Sequence, residues 1–389
     1  MKLLLIVDDY LPNSTKVGAK MMHELALELR ESGNYISVLT PKVSQEKSLI
    51  IKNLDGIKIL YFKSGQIKNV GKIKRAINES LLSYRAFKYS IEYFKENKYD
   101  GIIYYSPTIF FGNLVGKLTK LWNCKSYLIL RDIFPQNIID SHLIKQNSLV
   151  HKYFNFFEKI NYNNADRIGV MSPSIIDFFK SKKIYTKKFE VLYNWAQITK
   201  IPKVTNNIRN KLDLNDKIVF FYGGTMGHFQ QIINIINLAK KLRNDKLAHF
   251  LFVGQGDEVK LLLNEISKHK LNNITYLAPV NQKTYFDILN EFDIGVFSLH
   301  SDHKTNNIPG KILGYMSYSK PILGCVNKGN DVKKIINSAN AGFVVNSEDN
   351  SGLFRAAKIL LSSKSIRKKM GEKSRMLIKD QFSIQNASH

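Results

Sequence analysis

The stretch from Asp293 to Val326 constrains the fold more than any other part of the chain. It contains two short apolar segments, separated by a polar, turn-rich loop and by a short helix predicted between Pro309 and Pro321. Apolar segments of this kind that alternate with helices are typical of parallel strands in an α/β sheet. Two strand ends and one helix N-terminus then share the carboxyl edge of the sheet, where such sheets bind ligands.

Lys311 lies in the first turn of this predicted helix. A helix N-terminus directs unpaired backbone N–H groups and the positive end of the helix dipole at an anion. The positive charge of a lysine in that turn interacts unfavourably with the positive end of the helix dipole. The lysine therefore needs another explanation. The pattern predicts a phosphate site to which Lys311 contributes the positive charge.

Strand and helix patterns alternate in the same way along both halves of the chain. The first strand is the apolar run Leu3–Val7, which is too short for a membrane span or for the apolar core of a signal peptide. A chain of 389 residues is long enough for two α/β domains. We place the linker in the polar stretch 197–216, and we predict two Rossmann-like parallel sheets.

Cysteine usage and charge limit the class of protein. Cys124 and Cys325 lack CxxC spacing, so a disulfide framework or a structural zinc site is not expected, and a reducing cytosol fits. The formal net charge is +26. In the segment 63–77, basic residues alternate with Ile and Val, as in a segment that lies on an anionic membrane. A compositional bias of the genome is the equally good alternative, and no nucleic-acid-binding module is recognised.

Several tracts follow one another in the order and spacing of a known family. They include DDYLPNSTKVGAKMMHELALELRESGNYISVLT, YGGTMGHFQQIINIINLAKKL, FVGQGDEVKLL and FDIGVFSL, followed by the stretch from His300 to Asp331. This series resembles the GT-B retaining glycosyltransferases of family 4. The details RDIFPQ, NNIPGKILGYM and VNKGND look most like a branch from O-antigen and capsule gene clusters, usually described as N-acetyl-L-fucosamine transferases.

The resemblance implies a GT-B fold, in which two Rossmann-like domains face a central cleft. Residues 1–196 would form the acceptor-binding domain, residues 197–370 the nucleotide-sugar-binding domain, and residues 371–389 a helix that returns toward the first domain. The donor-binding positions that the resemblance implies are Gly18, Gly223, Gly224, Thr225, Gly254, Asn307, Lys311, Asn330 and Asp331.

Two cations that the family commonly uses to hold the diphosphate are missing. An Arg usually follows the glycines and a Lys comes five positions later, but this chain has Thr225 and Gln230 there. Lys311 matches the family's Pro-x-Lys position and is the first candidate to replace them. Arg131, Lys304 and His303 are weaker candidates.

Both carboxylates of the family's Glu-x7-Glu motif are also missing. Asn306 and Gly314 occupy these positions. An asparagine is both donor and acceptor, so Asn306 can still bind sugar hydroxyls, whereas Gly314 has no side chain with which to bind a ribose. The alternative is a helix that merely packs beside an inactive site.

Other candidate residues each have a structural alternative. Gly223-Gly224 would let the backbone approach a pyrophosphate, or would form an ordinary tight turn. Asn330 is expected to cap the next helix, and such a cap either presents amides to the donor or serves the helix alone. His228 could touch phosphate, although a single histidine is more often incidental.

In the first half, candidate residues follow two predicted strands. Gly18 marks the loop that the resemblance places against the donor diphosphate, and Lys16 would add charge nearby. Arg131 and Asp132 follow a later strand. Asp132 is a candidate for the base that activates the acceptor, and the alternative is a salt bridge with Arg131 that shapes the loop.

The leading hypothesis is a cytoplasmic glycosyltransferase, peripheral to the inner face of the plasma membrane. It would transfer an N-acetylated deoxysugar from a UDP-sugar to a lipid-diphosphate-linked glycan, with retention of configuration and without a metal or other cofactor. In the mechanism that the resemblance implies, Asp132 and Asn306 lie near the reacting centre. The alternatives are a sugar-nucleotide epimerase of the same architecture, a non-catalytic assembly protein and a basic nucleic-acid binder.

Overall fold

Short buried strands alternate with helices throughout the part of the chain that the structure describes. This computed structural model describes residues 1–14, 16–43, 45–67, 70–140, 144–183, 187–198, 200–205, 207–302 and 308–389. The chain divides into two units, the first comprising Met1–Tyr193 with Ala387–His389 and the second Asn194–Asn386. Each unit contains one β-sheet with helices, which confirms the predicted α/β class.

The first unit contains an eight-stranded sheet in the order β3-β4-β2-β1-β5-β6-β7-β8. Its strands are β1 Lys2–Ile6, β2 Tyr35–Lys42, β3 Leu49–Leu54, β4 Ile57–Lys63, β5 Gly101–Ser106, β6 Lys125–Leu130, β7 Arg167–Val170 and β8 Phe189–Val191. Its helices are α1 Val17–Glu31, α2 Lys72–Ser80, α3 Leu82–Glu96, α4 Gly112–Trp122, α5 Gln136–Asp140, α6 Leu149–Asn163 and α7 Pro173–Ser181. All neighbouring strands are parallel except β3 and β4.

The antiparallel strand β3 was not predicted from the sequence. It pairs with β4 through a turn at Asp55-Gly56, where both residues have positive φ, of 50° and 77°. Asp-Gly between two apolar runs is a strong hairpin signal. The strand was missed because its central residues, 51–53, are exposed and its other residues are only half-buried, so no buried pattern marks it.

The second unit contains a six-stranded parallel sheet in the order β11-β10-β9-β12-β13-β14. Its strands are β9 Ile218–Gly223, β10 Ala248–Val253, β11 Ile274–Leu277, β12 Ile294–Ser298, β13 Ile322–Val326 and β14 Gly342–Asn346. Its helices are α8 Asn207–Lys211, α9 Ile233–Lys241, α10 Val259–His269, α11 Gln282–Glu291, α12 Gly310–Ser317, α13 Asp331–Ser338, α14 Asn350–Ser362, α15 Lys364–Gln381 and α16 Ile384–Ser388.

Each sheet is covered by apolar side chains that exclude water from its strands. In the second unit, Phe220 and Phe250 stack with ring centroids 4.7 Å apart, and both are fully buried. Burial of one such side chain stabilises a fold by about 1.5–3 kcal/mol. The strands are therefore fixed relative to one another, and so are the loops at their carboxyl ends.

Asp293 has a structural role just before β12. Its carboxylate accepts hydrogen bonds from Arg209 Nη2 at 2.5 Å and from the Val219 amide at 2.8 Å. Arg209 Nε in turn donates to the Glu291 carbonyl at 2.8 Å. This cluster ties α8 to the beginning of the second sheet, so the polar stretch that follows residue 204 is anchored.

No helix in the described ranges is long and apolar enough to cross a membrane.

Candidate functional site

The glycine turns after β9 and β10 pack directly on each other. Gly224 has φ of +104° and Gly254 has φ of +149°. A Cβ on Gly254 would lie 2.0 Å from the Gly224 carbonyl oxygen, so a larger residue does not fit. The glycine pattern in these turns is therefore explained at least in part by the close approach of two backbones.

Most amides of the turn after β9 already have acceptors within the protein. The amides of Gly224 and Met226 donate to Val253 and Gln255 carbonyls, each at 2.8 Å, and that of Gly227 donates to Gln230 Oε1 at 3.0 Å. Among residues 223–227, all of which the structure describes, the exposed Thr225 is the one whose amide has no acceptor there. Thr225, rather than the glycine pair, leaves a backbone donor for an anion.

Lys311 lies beside this turn. Its Nζ is 3.5 Å from the Thr225 carbonyl oxygen and 3.5 Å from the centroid of the Tyr222 ring. The Tyr222 hydroxyl donates to the same Thr225 carbonyl at 2.8 Å. The whole residue is only partly buried, yet desolvation of its ammonium lowers the pKa of Lys311 well below its usual value. Its charge is therefore held at the turn by an aromatic face and a carbonyl.

Tyr315 fixes helix α12 between two strands. Its hydroxyl accepts a hydrogen bond from the Gly223 amide at 3.1 Å and donates to the Val296 carbonyl at 3.0 Å. A Cβ on Gly295 would lie 2.3 Å from the Tyr315 ring, so the absence of a side chain there makes room for the ring. The helix begins after Pro309, which adopts an extended conformation and provides no side-chain cap. Lys311 is positioned by this anchored helix.

Gly314, where the family has its second carboxylate, lies on α12 in ordinary contact with Leu289. A Cβ at this position would come 3.5 Å from the Leu289 side chain. The predicted site residues Asn306 and Asn307, with the weaker candidates His303 and Lys304, lie outside the described residues. Their roles stay predictions.

Asn330 caps helix α13, as predicted. Its Oδ1 accepts from the Val332 amide at 3.0 Å, and its Nδ2 donates to Asn327 Oδ1 at 2.9 Å. The side chain is buried and engaged on both sides, so donor contacts by Asn330 would come from its backbone. Asp331 is the first residue of the helix, and its donor-binding role stays a prediction.

Two histidines, His228 and His300, lie in the segments that follow β9 and β12 at the carboxyl edge of the second sheet. The rings of His228 and His300 lie 4.8 Å apart, and the His300 amide donates to the Phe229 carbonyl at 2.9 Å. His228 is therefore part of a pair. Sequence reasoning missed this pair, since 72 positions separate the two residues.

In the first unit, a tyrosine brings the predicted residues together at the carboxyl edge of the sheet. Gly18 faces the Tyr105 hydroxyl, which would be 3.0 Å from a Cβ there. Burial raises the pKa of Tyr105 to about 12, while Arg131 lowers it and Asp132 raises it. Gly18 thus approaches this phenol directly, and the charges of Arg131 and Asp132 lie near enough to act on its pKa; sequence reasoning missed Tyr105. Lys16 is exposed at the beginning of α1.

Arg131 and Asp132 differ sharply in their surroundings. Arg131 is buried and donates to the carbonyls of Leu192 at 2.5 Å and Tyr193 at 3.2 Å. Its guanidinium thus holds the end of β8, and burial lowers its pKa to about 10. Asp132 is exposed, but nearby protein atoms desolvate its carboxyl and raise its pKa. A raised pKa suits a group that exchanges protons.

Among the described residues, no group of three or more His, Cys, Asp or Glu side chains is arranged to hold a metal ion.

The chain is similar to known proteins in sequence and in fold. Residues 204–376 match the family described as "Glycosyl transferases group 1". The "Probable glycosyltransferase WbjE" of Pseudomonas aeruginosa is 25% identical over 228 residues, which cover 56% of this chain and 55% of that protein. The match thus spans about half the length of this relative.

Two solved structures match this chain over nearly its full length. Anabaena HepE in complex with UDP has a TM-score of 0.69 at 14% identity, and covers 100% of this chain and 97% of its own. WaaG, described as a glycosyltransferase involved in lipopolysaccharide biosynthesis, has a TM-score of 0.64 at 13% identity, with 99% and 97% covered. At such identities the likeness shows the fold.

Proposed function

We propose that this protein is a retaining glycosyltransferase, because residues 204–376 match the family described as "Glycosyl transferases group 1" and the chain has the GT-B fold. Its donor is a UDP-sugar, and its acceptor is a lipid-diphosphate-linked oligosaccharide. The product belongs to a surface polysaccharide, O-antigen or capsule. Support comes from the UDP complex of the Anabaena protein and from the lipopolysaccharide role stated for WaaG.

The observation that carries this proposal is the position of Lys311. A lysine with a depressed pKa, 3.5 Å from the carbonyl of the turn whose Thr225 amide has no described acceptor, is suited to a diphosphate. The anion would restore the full charge of the ammonium and accept a hydrogen bond from the amide. Lys311 and the Thr225 amide would together replace the two cations that the family usually has at positions 225 and 230.

The reaction follows from the charge that develops on the leaving group. The bond between the anomeric carbon and the diphosphate oxygen breaks, and the acceptor hydroxyl forms the new bond on the same face of the sugar. The hydroxyl proton goes to the leaving diphosphate oxygen, so UDP is released. Lys311 and the Thr225 amide stabilise the negative charge on UDP, which is the largest contribution in reactions of this type. We propose that no metal is needed.

On the first unit, the cluster around Tyr105 is the proposed acceptor site. Asp132 is exposed there, and its raised pKa lets it exchange a proton with an acceptor hydroxyl. Arg131 positions this loop through the carbonyls that follow β8. Asp132 is therefore the proposed acceptor-side base: its carboxylate accepts a hydrogen bond from the acceptor hydroxyl before that proton passes to the leaving diphosphate oxygen.

Three finer points complete the proposal. The donor sugar is an N-acetylated deoxysugar such as N-acetyl-L-fucosamine, as the resemblance of RDIFPQ and NNIPGKILGYM suggests. The enzyme works in the cytoplasm at the inner face of the plasma membrane. The basic segment 63–77 contacts anionic lipid there.

A donor panel tests the proposal. Purified protein is incubated with UDP-sugars and a lipid-diphosphate glycan, and the lipid fraction is analysed by mass spectrometry. We expect one added sugar residue and an equal amount of released UDP. Isomerised donor without acceptor would instead identify an epimerase, and the absence of both UDP binding and transfer would refute the proposal.

A further inference from the structure

Helix α2 and the beginning of α3 present apolar side chains to solvent. Ile73 is 80% exposed and Ile77 is 56% exposed. Leu81 and Tyr84 continue the series, at 36% and 57%. Ile73 and Ile77 are four residues apart on α2 and so share one helical face; Leu81 follows at the end of α2, and Tyr84 lies in the first turn of α3. Helix α3 buries other residues, among them Ala86, Ser90 and Phe94.

Helix α6 presents a second apolar stripe. Leu149 is 84% exposed, Val150 49%, Tyr153 39% and Phe156 59%. Phe157, whose ring contacts those of Tyr153 and Phe156, packs inward on Phe110 with ring centroids 4.8 Å apart. The exposed stripe therefore does not result from an unpacked helix.

The two stripes form one surface. The Ser80 hydroxyl at the end of α2 is hydrogen-bonded to the Tyr153 hydroxyl on α6. We call the eight residues the two-helix patch; its members are Ile73, Ile77, Leu81, Tyr84, Leu149, Val150, Tyr153 and Phe156. Single exposed apolar residues are normal on a protein surface, but a contiguous group of this size marks an interaction site.

The charges around the two-helix patch are predominantly positive. Helix α2 carries three basic residues and one acidic residue, and α6 carries two and one. Glu79, the acidic residue of α2, is paired with Arg75 at 2.9 Å. Glu158, the acidic residue of α6, is only partly exposed, and burial raises its pKa to about 7. The surface thus combines exposed aliphatic and aromatic side chains with unopposed lysines such as Lys74 and Lys152.

The patch lies next to the proposed acceptor site. Phe134, three residues after Arg131, packs on Phe154 of α6 with ring centroids 4.8 Å apart. The loop that carries Asp132 is therefore in direct contact with the helix that carries half of the patch.

We propose that the two-helix patch inserts into the headgroup region of an anionic lipid bilayer and so places the lipid-linked acceptor beside Asp132. Apolar side chains rimmed by lysines are the composition that binds such interfaces, and Tyr and Phe favour the interfacial depth. A protein partner would need an apolar surface bordered by carboxylates. An anionic bilayer supplies both the negative charge, in its headgroups, and the apolar region, in its acyl chains. The identity of the acceptor and the location at a membrane rest on the proposed function; the insertion of these apolar side chains is argued from the patch itself.

Vesicle sedimentation tests the contact without any donor or acceptor. The wild type is mixed with vesicles of phosphatidylcholine and phosphatidylglycerol, and with phosphatidylcholine alone. We expect binding to the anionic vesicles that falls but persists at about 0.5 M salt, where charges more than about 4 Å apart are screened. The double substitution Ile73→Ser with Phe156→Ser should weaken binding about tenfold or more at both salt concentrations.

A matched double substitution in the same unit is the control. Tyr35 and Leu121 are 78% and 44% exposed outside the patch, so Tyr35→Ser with Leu121→Ser should leave vesicle binding unchanged. Lys74→Gln with Lys152→Gln should weaken binding at low salt only. Equal losses in the control and patch variants, or complete release of the wild type at high salt, would overturn insertion of the patch.

A fluorescent reporter measures insertion directly. Trp122 and Trp195 are 2% and 3% exposed, so a tryptophan introduced by Phe156→Trp dominates the solvent-sensitive emission. We expect a blue shift with anionic vesicles and quenching by brominated acyl chains. Lack of both, or self-association of the wild type that the patch substitutions abolish, would assign the patch to a protein contact. Vesicle binding without any sugar transfer would refute the proposed function and leave the membrane surface in place.

Discussion

Lys311 holds its charge in surroundings that do not favour it. No carboxylate among the described residues pairs with its ammonium, which rests on the Tyr222 ring and the Thr225 carbonyl. Partial desolvation without an opposite charge destabilises a cation. A residue kept in this state is better explained by a ligand that supplies the missing negative charge than by the stability of the fold.

Replacement of this lysine is the first prediction. Lys311→Met removes the charge and keeps the length of the side chain, so the diphosphate loses one charge-assisted hydrogen bond, about 1.5–3 kcal/mol. We expect UDP affinity to fall roughly tenfold to a hundredfold, measured by isothermal titration calorimetry at pH 7.

The control for this variant is Lys334→Met, on an exposed lysine of α13. It changes the net charge equally and should bind UDP like the wild type. The Lys311→Met protein should unfold at the same temperature as the wild type or higher, because a desolvated ammonium is removed. Unchanged UDP affinity in Lys311→Met would contradict its phosphate role.

The depressed pKa of Lys311 also predicts proton uptake. In the free protein, burial lowers this pKa, so the neutral amine gains population as pH rises toward the usual range of lysine. Bound diphosphate favours the ammonium and raises the pKa again. UDP binding should therefore take up protons at pH values below the usual range of lysine, and it should weaken as pH increases.

Calorimetry in buffers of different ionisation enthalpy measures this uptake. The uptake should disappear in Lys311→Met, which separates it from titration of the nucleotide. Identical uptake in the variant and the wild type would place the proton on another group.

At the scale of the element, α12 depends on one hydroxyl that joins it to two strands. The Gly223 amide and the Val296 carbonyl are both buried and both bind Tyr315. Tyr315→Phe leaves a donor and an acceptor unpaired, at a cost of about 1–3 kcal/mol for each group. Urea denaturation should show a loss of about 2 kcal/mol or more in the free energy of unfolding.

Tyr318→Phe, at the end of the same helix and partly exposed, is the matched substitution and should change stability by less than about 0.5 kcal/mol. UDP affinity should fall in Tyr315→Phe as well, since Lys311 is carried by the same helix. Equal stability of the two variants would mean that packing alone fixes α12.

Alanine substitutions at two glycines compare a position that needs glycine for close backbone packing, Gly254, with a position where a side chain fits, Gly314. Gly254→Ala places a Cβ 2.0 Å from the Gly224 carbonyl oxygen at a φ of +149°, whereas Gly314→Ala makes an ordinary 3.5 Å contact. We expect Gly254→Ala to destabilise the protein by at least about 1–3 kcal/mol. Gly314→Ala should stabilise it by about 0.5–1 kcal/mol, because alanine favours a helix.

Thermal unfolding followed by circular dichroism measures both changes. Gly314→Ala should also retain UDP affinity, because no side chain of residue 314 contributes to the site proposed for this chain. If Gly254→Ala is tolerated, the glycine after β10 serves ligand access rather than backbone packing.

At the scale of the whole molecule, the sequence predicted what local pattern determines. The alternation of strands with helices and the position of Lys311 in the first turn of a helix both follow from short segments, and both are observed. The contact of Tyr315 with Gly223 joins residues 92 positions apart, and Arg131 reaches Leu192 across 61. Such contacts depend on how elements pack, so neither the anchor of α12 nor the buried role of Arg131 could be seen beforehand.

The two proposed activities belong to different units, and hydrogen exchange can separate them. Backbone amides gain protection where a ligand suppresses local opening. UDP should protect Thr225 and the first turn of α12 in the second unit. Anionic vesicles should protect α2 and α6 in the first unit, and UDP should not. Mass spectrometry of peptides from the full-length protein reports both regions in one experiment. Vesicle-induced protection confined to the second unit would contradict the membrane assignment, and UDP-induced protection absent from Thr225 and α12 would contradict the donor site.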